Sequence, residues 1–423
     1  MFPDTPIPEL RTIQFDRVRQ LLRAVLPGNG FYARKFEGLS PNDLRTLDDF
    51  TKLPCTTKTE LAADQAANPP YGTALSFSLD RYCRLHQTSG TSTGRPLRWL
   101  DTPQSWDWLL GCWQTSFPFM GLTTRDKLFF PFSFGPFLGF WTAFDAANRA
   151  GFLCIAGGGM TSTARLRFLL EHNCTIVFAT PTYALHLAEL AAKEGIDLAN
   201  SCVRALVVAG EPGGNIPATR ERIESVWGAR VFDHYGMTEV GPVAVEASDL
   251  RRQMYLLESD YLAEVLMPGT NTPAPAHEFG ELVLTNLGRV GSPVIRYRTG
   301  DLVRMATDPD PTGRTWRRLD GGILGRADDM IHVRGNNLYP GAIEAIIRRF
   351  PAVAEYRIVV NRADPLADLR IDVEPMNGDG RELAEAVGRA IRDDLLFRVE
   401  VYPVSPNSLP RFEMKARRVI HEK

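Results

Sequence analysis

The chain has 423 residues, of which 44% are hydrophobic and 23% charged, and its 48 basic and 50 acidic side chains leave a formal net charge of −2. A mixed, nearly neutral charge argues against a general nucleic-acid or anionic-membrane surface, because such a surface needs a concentrated positive face. The length exceeds what one hydrophobic core usually serves, so we expect a large domain and a smaller one.

The six cysteines are scattered, with no C-x-x-C pair and no histidine at metal-ligand spacing. Neither a zinc site nor a disulfide framework is indicated, which fits a reducing cytosol. The first residues, MFPDTPIPEL, lack the basic and apolar parts of a signal peptide. The most apolar segment, 128–147, contains Pro131, Pro136 and Asp145 and is a poor membrane span. We therefore expect a cytoplasmic protein with no nucleic-acid or membrane partner.

The first eighty residues are predicted to be helices and turns. Residues 15–26 (FDRVRQLLRAVL) have helical spacing and end at Pro27 and Gly28, and residues 40–54 contain a capped helix start. This segment is predicted to lead into the main fold.

Apolar and amphipathic runs then alternate along the chain. Three runs, at 175–180, 203–210 and 229–236, predict strands, the first of them buried, and the segments between them, 181–195 and 216–228, predict helices. This alternation is typical of a parallel sheet with crossover helices.

After residue 241 the sequence becomes rich in strands, as in GELVLTNL and VIRYRTGDLVRM, which predicts an antiparallel subdomain. The last hundred residues carry two helical segments, 340–350 and 380–396, and strands between them, enough for a small α+β domain. We predict an α/β protein with a large N-terminal domain at 1–327, built of parallel-type sheets with crossover helices plus an antiparallel β subdomain. A small mobile C-terminal α+β domain is predicted at 328–423.

The segment HQTSGTSTGRPLRW (86–99) is the first candidate site. Its Ser, Thr and Gly residues supply hydroxyl donors and a backbone free to turn, so several donors could converge on phosphate oxygens. It is not a Walker A loop, because Gly90 is followed by Gly94 and then Arg95. Taken alone, the segment could equally be a flexible connection.

Four further segments follow in order: DHYGMTEVG (233–241), YRTGDL (297–302), GRADDMIHVRGNNLYPGAIE (325–344) and LPRFEMKARRV (409–419). Together with the first, they resemble the core motifs of the adenylate-forming superfamily of acyl-CoA synthetases, peptide-synthetase adenylation domains and luciferases. GEP at 210–212, PVIRYRTGDL and GRADDMI-x-VRG resemble the phenylacetate-CoA ligase branch. The resemblance covers nearly the whole chain.

The resemblance implies an ATP-dependent acid–thiol ligase. It would join a small-molecule carboxylic acid to AMP, release pyrophosphate, and pass the acyl group to coenzyme A, with Mg²⁺ as the metal. Both steps gather negative charge, which hydroxyls, backbone N–H groups, a magnesium ion and a mobile cation could stabilise. Two alternatives remain open: transfer to a carrier-protein pantetheine or an amine, and a non-catalytic nucleotide-binding relative. Related enzymes are often homodimers.

By resemblance, the 88–96 loop would cover the β- and γ-phosphates; its candidate residues are Ser89, Gly90, Thr91, Ser92, Thr93, Gly94 and Arg95. This loop has one more residue than the usual family form, and Arg95 stands where a lysine is usual.

In YGMTE, Tyr235 would stack on adenine next to Gly236, and Thr238 would contact the α-phosphate. Glu239 would bind magnesium, because a carboxylate oxygen is a hard ligand for a hard cation. A polar turn after a strand is the structural alternative.

Glu211 and Pro212 would line the adenine side, unless they only form a β-turn. Asp301 would accept both ribose hydroxyls, with Arg326 close by. A salt bridge from Arg298 or Arg326 to Asp301 is the structural competitor.

The small domain would carry three further functional residues. Lys415 would reach the substrate carboxylate and the α-phosphate, although a lysine near a C-terminus is usually a solvated surface residue. Asp328 would be the hinge, and Gly335 would line the path of the pantetheine arm. Rotation at Asp328 would exchange Lys415 for the Gly335 region between the two half-reactions.

The aromatic run 129–141 (FFPFSFGPFLGFW) could wall a pocket for a flat apolar acid. The candidate pocket residues are Phe132, Phe134, Gly135, Phe137, Gly139 and Gly210. An aromatic run also commonly forms core, and that alternative stays open. An aromatic or arylacetic acid is the predicted substrate. His86 and His234 are interpreted as structural rather than catalytic residues.

Overall fold

The computed structural model describes residues 3–88, 96–327, 329, 331–333, 336–361, 368–412 and 416–422. Within these ranges, none of the helices combines the length and the apolarity that a membrane span requires. The structure describes all six cysteines, and each is a free thiol.

The N-terminal region is helical, as predicted. Its helices are α1 (Ile7–Val25), α2 (Gly30–Lys35), α3 (Leu47–Thr51) and α4 (Lys58–Ala67). Both α3 and α4 begin with a capping box, in which Thr46 pairs with Asp49 and Thr57 pairs with Glu60. Each box satisfies backbone N–H groups that have no partner within the helix, and so fixes where the helix starts.

The middle of the chain alternates between helices and short strands. In chain order the elements are β1 (Arg84–Gln87), β2 (Arg98–Asp101), α5 (Pro103–Phe119), β3 (Lys127–Phe130), α6 (Leu138–Arg149), β4 (Leu153–Ala156), α7 (Ser162–Glu171), β5 (Ile176–Ala179), α8 (Pro181–Lys193), β6 (Ala205–Val208), α9 (Pro217–Trp227) and β7 (Arg230–Met237). Strands β3 to β7 are parallel to one another. The predicted alternation of strands and crossover helices is therefore confirmed.

The next segment is antiparallel, as predicted. Its strands are β8 (Gly241–Ala247), β9 (Leu250–Leu256), β10 (Tyr261–Leu266), β11 (Phe279–Asn286), β12 (Tyr297–Met305) and β13 (Arg318–Arg326). Within the described residues they continue the parallel strands in one 11-stranded sheet, in the order β10-β11-β12-β13-β9-β8-β7-β6-β5-β3-β4. Strand β7 is thus parallel to β6 on one side and antiparallel to β8 on the other.

Two apolar layers cover the parallel strands. Along β3, Phe130 belongs to a core with residues of α5 and α6, and Phe129 belongs to a core with residues of α7, α8 and α9. Successive side chains of a strand point to opposite faces, so strands covered on both sides are continuously apolar. β5 and β6 are buried along their whole length.

The C-terminal region has a core of its own. Its elements are β14 (Ile331–Val333), β15 (Asn336–Leu338), α10 (Pro340–Ile347), β16 (Val353–Asn361), β17 (Asp368–Pro375), α11 (Arg381–Leu395), β18 (Glu400–Pro403) and β19 (Val419–Glu422). Four of these strands form a sheet in the order β18-β17-β16-β19. The mixed α/β architecture with a small C-terminal α+β unit agrees with the prediction. The boundary at 327/328 stays a prediction, because Asp328 lies outside the described residues.

Candidate active site

The candidate site lies at the end of β7, where the parallel half of the sheet meets the antiparallel half. The register between β7 and β8 shifts between Tyr235 and Gly236. A Cβ at Gly236 would lie 2.6 Å from the Gly241 carbonyl oxygen, so this crossing needs a glycine for packing alone. The carboxyl ends of parallel strands are the usual place for ligands in α/β sheets.

Asp301 joins Tyr235 and Arg326 in a buried polar cluster. The Tyr235 hydroxyl donates a hydrogen bond to Asp301 Oδ2 over 2.6 Å, and Arg326 Nη1 donates to Oδ1 over 3.0 Å. Burial, and then the charge of Asp301, raise the pKa of Tyr235 well above its ordinary value. The structural competitor considered for Asp301, a salt bridge to Arg326, is therefore present, while Arg298 pairs with Glu281 instead.

Glu239 is almost fully buried, with 3% of its surface exposed. Its Oε1 lies 3.4 Å from the Tyr297 hydroxyl and 3.4 Å from Lys58 Nζ. Sequence reasoning missed Lys58, which is the first residue of α4. The capping box at Thr57 fixes the start of that helix, but no sequence signal links α4 to the turn after β7.

Arg289 supports the turn that carries Thr238 and Glu239. Arg289 Nη1 donates to the carbonyl oxygens of Thr238, over 2.7 Å, and of Glu239, over 3.1 Å. The other edge of the guanidinium makes two 2.7 Å bonds to the Asp101 carboxylate. Both side chains have 0% exposure. Sequence reasoning missed this pair too, because neither residue stands in one of the recognised motifs.

Glu239 is the candidate ligand for Mg²⁺ in this arrangement. In the described part of the chain, no group of three or more His, Cys, Asp and Glu residues could hold a metal ion. Magnesium usually keeps several waters and binds one or two carboxylates together with substrate phosphates. The single carboxylate of Glu239 fits an ion held mainly by nucleotide phosphates.

Glu211 lies between the large and the small domain. Its Oε1 accepts a hydrogen bond from the Thr182 backbone N–H over 2.8 Å, and its Oε2 accepts one from the Ala416 backbone N–H over 2.8 Å. Pro212 is exposed, and Gly210 has a φ of 93°. A role of Glu211 and Pro212 at adenine stays a prediction.

The aromatic run is partly core and partly accessible. Phe132 belongs to the core, and its ring centroid lies 5.4 Å from that of Phe134. Phe134 is half-buried and lies 4.9 Å from the ring of Trp141, whose Nε1 donates to the Gly135 carbonyl.

Of two further pocket candidates, Phe137 is half-buried and Gly139 is exposed. A Cβ at Gly139 would meet no atom within 4 Å, so that glycine leaves open space. Phe132 is therefore a core residue, as the alternative interpretation expects. For the other candidates, a position in a pocket wall stays a prediction.

His86 and His234 are packed aromatic residues. The His234 ring stacks on Trp113 with centroids 3.9 Å apart, and the His86 ring stacks on Trp106 at 5.3 Å. Burial lowers the pKa of His234 to about 3 and that of His86 to about 4. Both rings are therefore neutral at pH 7, which supports their interpretation as structural residues.

The low pKa of His234 predicts a pH-dependent stability. The unfolded chain binds a proton near the ordinary pKa of 6.5, whereas the folded chain does so only near 3. The contribution of the neutral ring is complete above pH 6.5 and is lost as the pH falls from 6.5 toward 3. Relative to His234→Phe, the wild-type free energy of unfolding should fall by about 1.4 kcal/mol per pH unit between about pH 6 and 4. Urea unfolding measures this difference; parallel curves for the two proteins would contradict it.

Several predicted site residues lie outside the described residues. They are Ser89, Gly90, Thr91, Ser92, Thr93, Gly94, Arg95, Asp328, Gly335 and Lys415. Their roles stay predictions. Of the other predicted residues, the structure brings Tyr235, Asp301 and Arg326 into one cluster.

Comparison with known proteins identifies the class. Residues 61–288 match the family model of the AMP-binding enzyme, and residues 335–423 match that of the AMP-binding enzyme C-terminal domain. The chain belongs to the AMP-binding enzyme family. The predicted resemblance to the adenylate-forming superfamily is confirmed.

Individual relatives resemble the chain over nearly its full length. The phenylacetate-coenzyme A ligase of Escherichia coli (strain K12) is 32% identical, over 98% of this chain and 95% of the relative. A structure of 2-hydroxyisobutyryl-CoA ligase in the postadenylation state, in complex with 2-HIB-AMP, is 30% identical and has a TM-score of 0.92, covering 99% of this chain and 91% of that chain. The structure of that ligase with 2-HIB-AMP and CoA in the thioesterification state is 31% identical and has a TM-score of 0.75, with the same coverage.

Proposed function

We propose that this enzyme activates an aromatic or arylacetic acid as an acyl-adenylate and transfers the acyl group to coenzyme A. The general activity of the enzyme follows from its family: it is an AMP-forming acid–CoA ligase that uses ATP, a carboxylic acid and CoA. The observation that carries the proposal is the pairing of Asp301 with Tyr235 and Arg326 beside the buried Glu239, at the carboxyl end of the parallel strands.

The charges of the site suit a nucleotide. Asp301 is oriented by two donors, and a carboxylate has enough acceptor positions to receive ribose hydroxyls as well. Tyr235 keeps its proton, because its pKa is raised, and so presents a neutral ring for adenine. Thr238 and Glu239 lie on a turn whose carbonyl oxygens are fixed by Arg289, so their positions do not depend on a bound ligand.

Glu239 would hold Mg²⁺ together with the phosphates. When bound, the ion would neutralise part of the charge that develops on the departing pyrophosphate. Lys58, 3.4 Å from Glu239, offers a cation at the same place. Lys415 would supply the positive charge between the substrate carboxylate and the α-phosphate, and Arg95 would serve the β- and γ-phosphates with the rest of its loop.

Two observations support an aromatic or arylacetic acid as the substrate: the aromatic residues of the candidate pocket and the activity of the relatives. Phe134 and Trp141 offer half-buried aromatic surface, which suits a flat apolar acid, and a side chain at the exposed Gly139 would meet no atom within 4 Å. A phenylacetate-coenzyme A ligase is among the relatives, which supports the same class. A short hydroxy acid is the second candidate, because the 2-hydroxyisobutyryl-CoA ligase shares the fold with a TM-score of 0.92.

We also propose a cytoplasmic location and a homodimeric state. The free thiols of all six cysteines fit a reducing compartment. Full-length similarity to coenzyme A ligases supports coenzyme A, rather than a carrier-protein pantetheine or an amine, as the acceptor.

Acid-dependent ATP–pyrophosphate exchange tests the proposed function. The panel should contain phenylacetate, benzoate, 2-hydroxyisobutyrate and octanoate, each followed by CoA addition and detection of the thioester. We expect the highest kcat/KM with phenylacetate or benzoate. Preference for 2-hydroxyisobutyrate would replace the aromatic proposal by the second candidate, and absence of exchange with every acid would contradict enzymatic activation.

A further inference from the structure

The segment that follows Lys415 is anchored on the large domain at two points. Ala416 donates its backbone N–H to Glu211 Oε2 over 2.8 Å, and Arg418 Nη2 donates to the Thr182 hydroxyl over 3.1 Å. Glu211 and Thr182 are themselves joined, because Glu211 Oε1 accepts the Thr182 N–H over 2.8 Å. We call Glu211 and Thr182 the docking pair.

Thr182 lies at the N-terminus of α8, and Glu211 binds the backbone there. Thr182 follows Pro181, the first residue of that helix, so its N–H has no acceptor within the helix. A carboxylate is favoured there by the helix dipole, and Glu211 supplies one. One carboxylate oxygen satisfies the helix and the other remains for the small domain, where it accepts the Ala416 N–H in a charge-assisted bond.

Arg418, which donates to Thr182, is itself held in place within the small domain. The guanidinium of Arg418 is held by Glu355 through two bonds, Nε to Oε1 over 2.7 Å and Nη2 to Oε2 over 3.0 Å. Its contact with Thr182 therefore links a fixed group of the small domain to the large one. The docking pair thus contacts the segment at positions 416 and 418, just before β19 begins at Val419.

These contacts belong to one arrangement of the two domains. The structure matches the postadenylation form of 2-hydroxyisobutyryl-CoA ligase with a TM-score of 0.92, but its thioesterification form with only 0.75, at equal coverage. A rotation of the small domain would separate Ala416 from Glu211, since hydrogen bonds are lost beyond about 3.5 Å. The docking pair is therefore made in an arrangement close to that postadenylation form, which we call the adenylation arrangement.

We propose that Glu211 is a positioning residue for the first half-reaction: with Thr182 it docks residues 416–418 and thereby orients the preceding residue, Lys415, for adenylation. The role rests on the proposed function and goes beyond it, because it assigns a task to the Glu211 carboxylate, which within the described residues accepts hydrogen bonds from two backbone N–H groups. The nitrogen of Ala416 is covalently bonded to the carbonyl carbon of Lys415, so fixing that N–H restricts the chain at the lysine.

Separate assays of the two half-reactions test the proposal. In single-turnover experiments with ATP and acid, Glu211→Ala should slow acyl-adenylate formation about 10- to 100-fold, the effect expected for losing charge-assisted hydrogen bonds. Formation of thioester from synthetic acyl-adenylate and CoA should stay within about twofold, because that step uses the other domain arrangement. Thr182→Val should show a smaller loss, about two- to fivefold, in adenylation only.

The matched control is Glu221→Ala, which removes the same charge from an exposed position on α9. We expect both of its half-reactions to be unchanged. Equal loss of both half-reactions in Glu211→Ala would overturn the docking role, and so would a higher KM for ATP with unchanged kcat. Absence of acyl-adenylate with the wild-type protein would instead overturn the proposed function, so the two failures are distinguishable.

Discussion

Lys415→Ala is expected to reduce acyl-adenylate formation at least ~100-fold and to leave thioester formation from supplied acyl-adenylate nearly unchanged. The substrate carboxylate and the α-phosphate are both anions, so their approach is opposed until a cation lies between them. In the proposed mechanism Lys415 supplies that cation only in the adenylation arrangement, and it leaves when the small domain rotates. Single-turnover assays of each half-reaction measure the two effects separately.

Arg417→Ala provides a control for the adenylation step, because it removes a neighbouring positive charge from an exposed position. It should leave acyl-adenylate formation unchanged. If Lys415→Ala impaired both half-reactions equally, or neither, the assignment of Lys415 to the first step would be wrong.

Arg289→Met is expected to lower both stability and adenylation. The substitution leaves the Asp101 carboxylate buried without its partner, which should reduce the free energy of unfolding by about 3–5 kcal/mol. It also frees the carbonyl oxygens of Thr238 and Glu239, which Arg289 holds at 2.7 and 3.1 Å. Urea unfolding measures the first effect, and ATP–pyrophosphate exchange at a temperature where the variant is folded measures the second.

The double variant Asp101→Leu with Arg289→Met separates the two effects. It removes both buried charges, and apolar replacements of a buried ion pair are often neutral for stability. Stability should therefore recover largely, while exchange stays low because the turn remains unsupported. Recovery of exchange together with stability would show that Arg289 acts on folding alone.

Local patterns predicted most of the fold. The strands and helices from β5 to β7 follow from alternating apolar and amphipathic runs, and their bounds lie within a few residues of those predicted. The joining of the parallel and antiparallel halves in one sheet was not predicted. The halves are joined by the antiparallel pairing of β7 with β8. Within the antiparallel half, the strand order also depends on the pairing of β9 with β13, whose sequences are far apart and carry no mutual signal.

The sequence predicted some residues of the candidate site and missed others. Tyr235, Asp301 and Arg326 stand in recognisable motifs, and the structure brings them together. Lys58 and Arg289 lie in segments without a motif and reach the turn after β7 only through the tertiary fold.

Glu211 shows a different limit of sequence reasoning. Its motif predicts a position next to adenine, which stays a prediction, but nothing in the motif indicates the hydrogen bonds that join α8 to the C-terminal segment. Sequence order alone could not predict which backbone N–H groups the folded chain places around a carboxylate.

Transfer of oxygen from the acid to AMP shows whether the acid is activated as an acyl-adenylate. The enzyme should be incubated with ATP, CoA and an acid, chosen from the exchange panel, whose carboxylate is labelled with ¹⁸O. Attack of the carboxylate on the α-phosphate, followed by thiol displacement, leaves one labelled oxygen on AMP. Mass spectrometry of the nucleotide products should find that label in AMP. Labelled inorganic phosphate with ADP as the nucleotide product would contradict the account, as would thioester formation with unlabelled AMP.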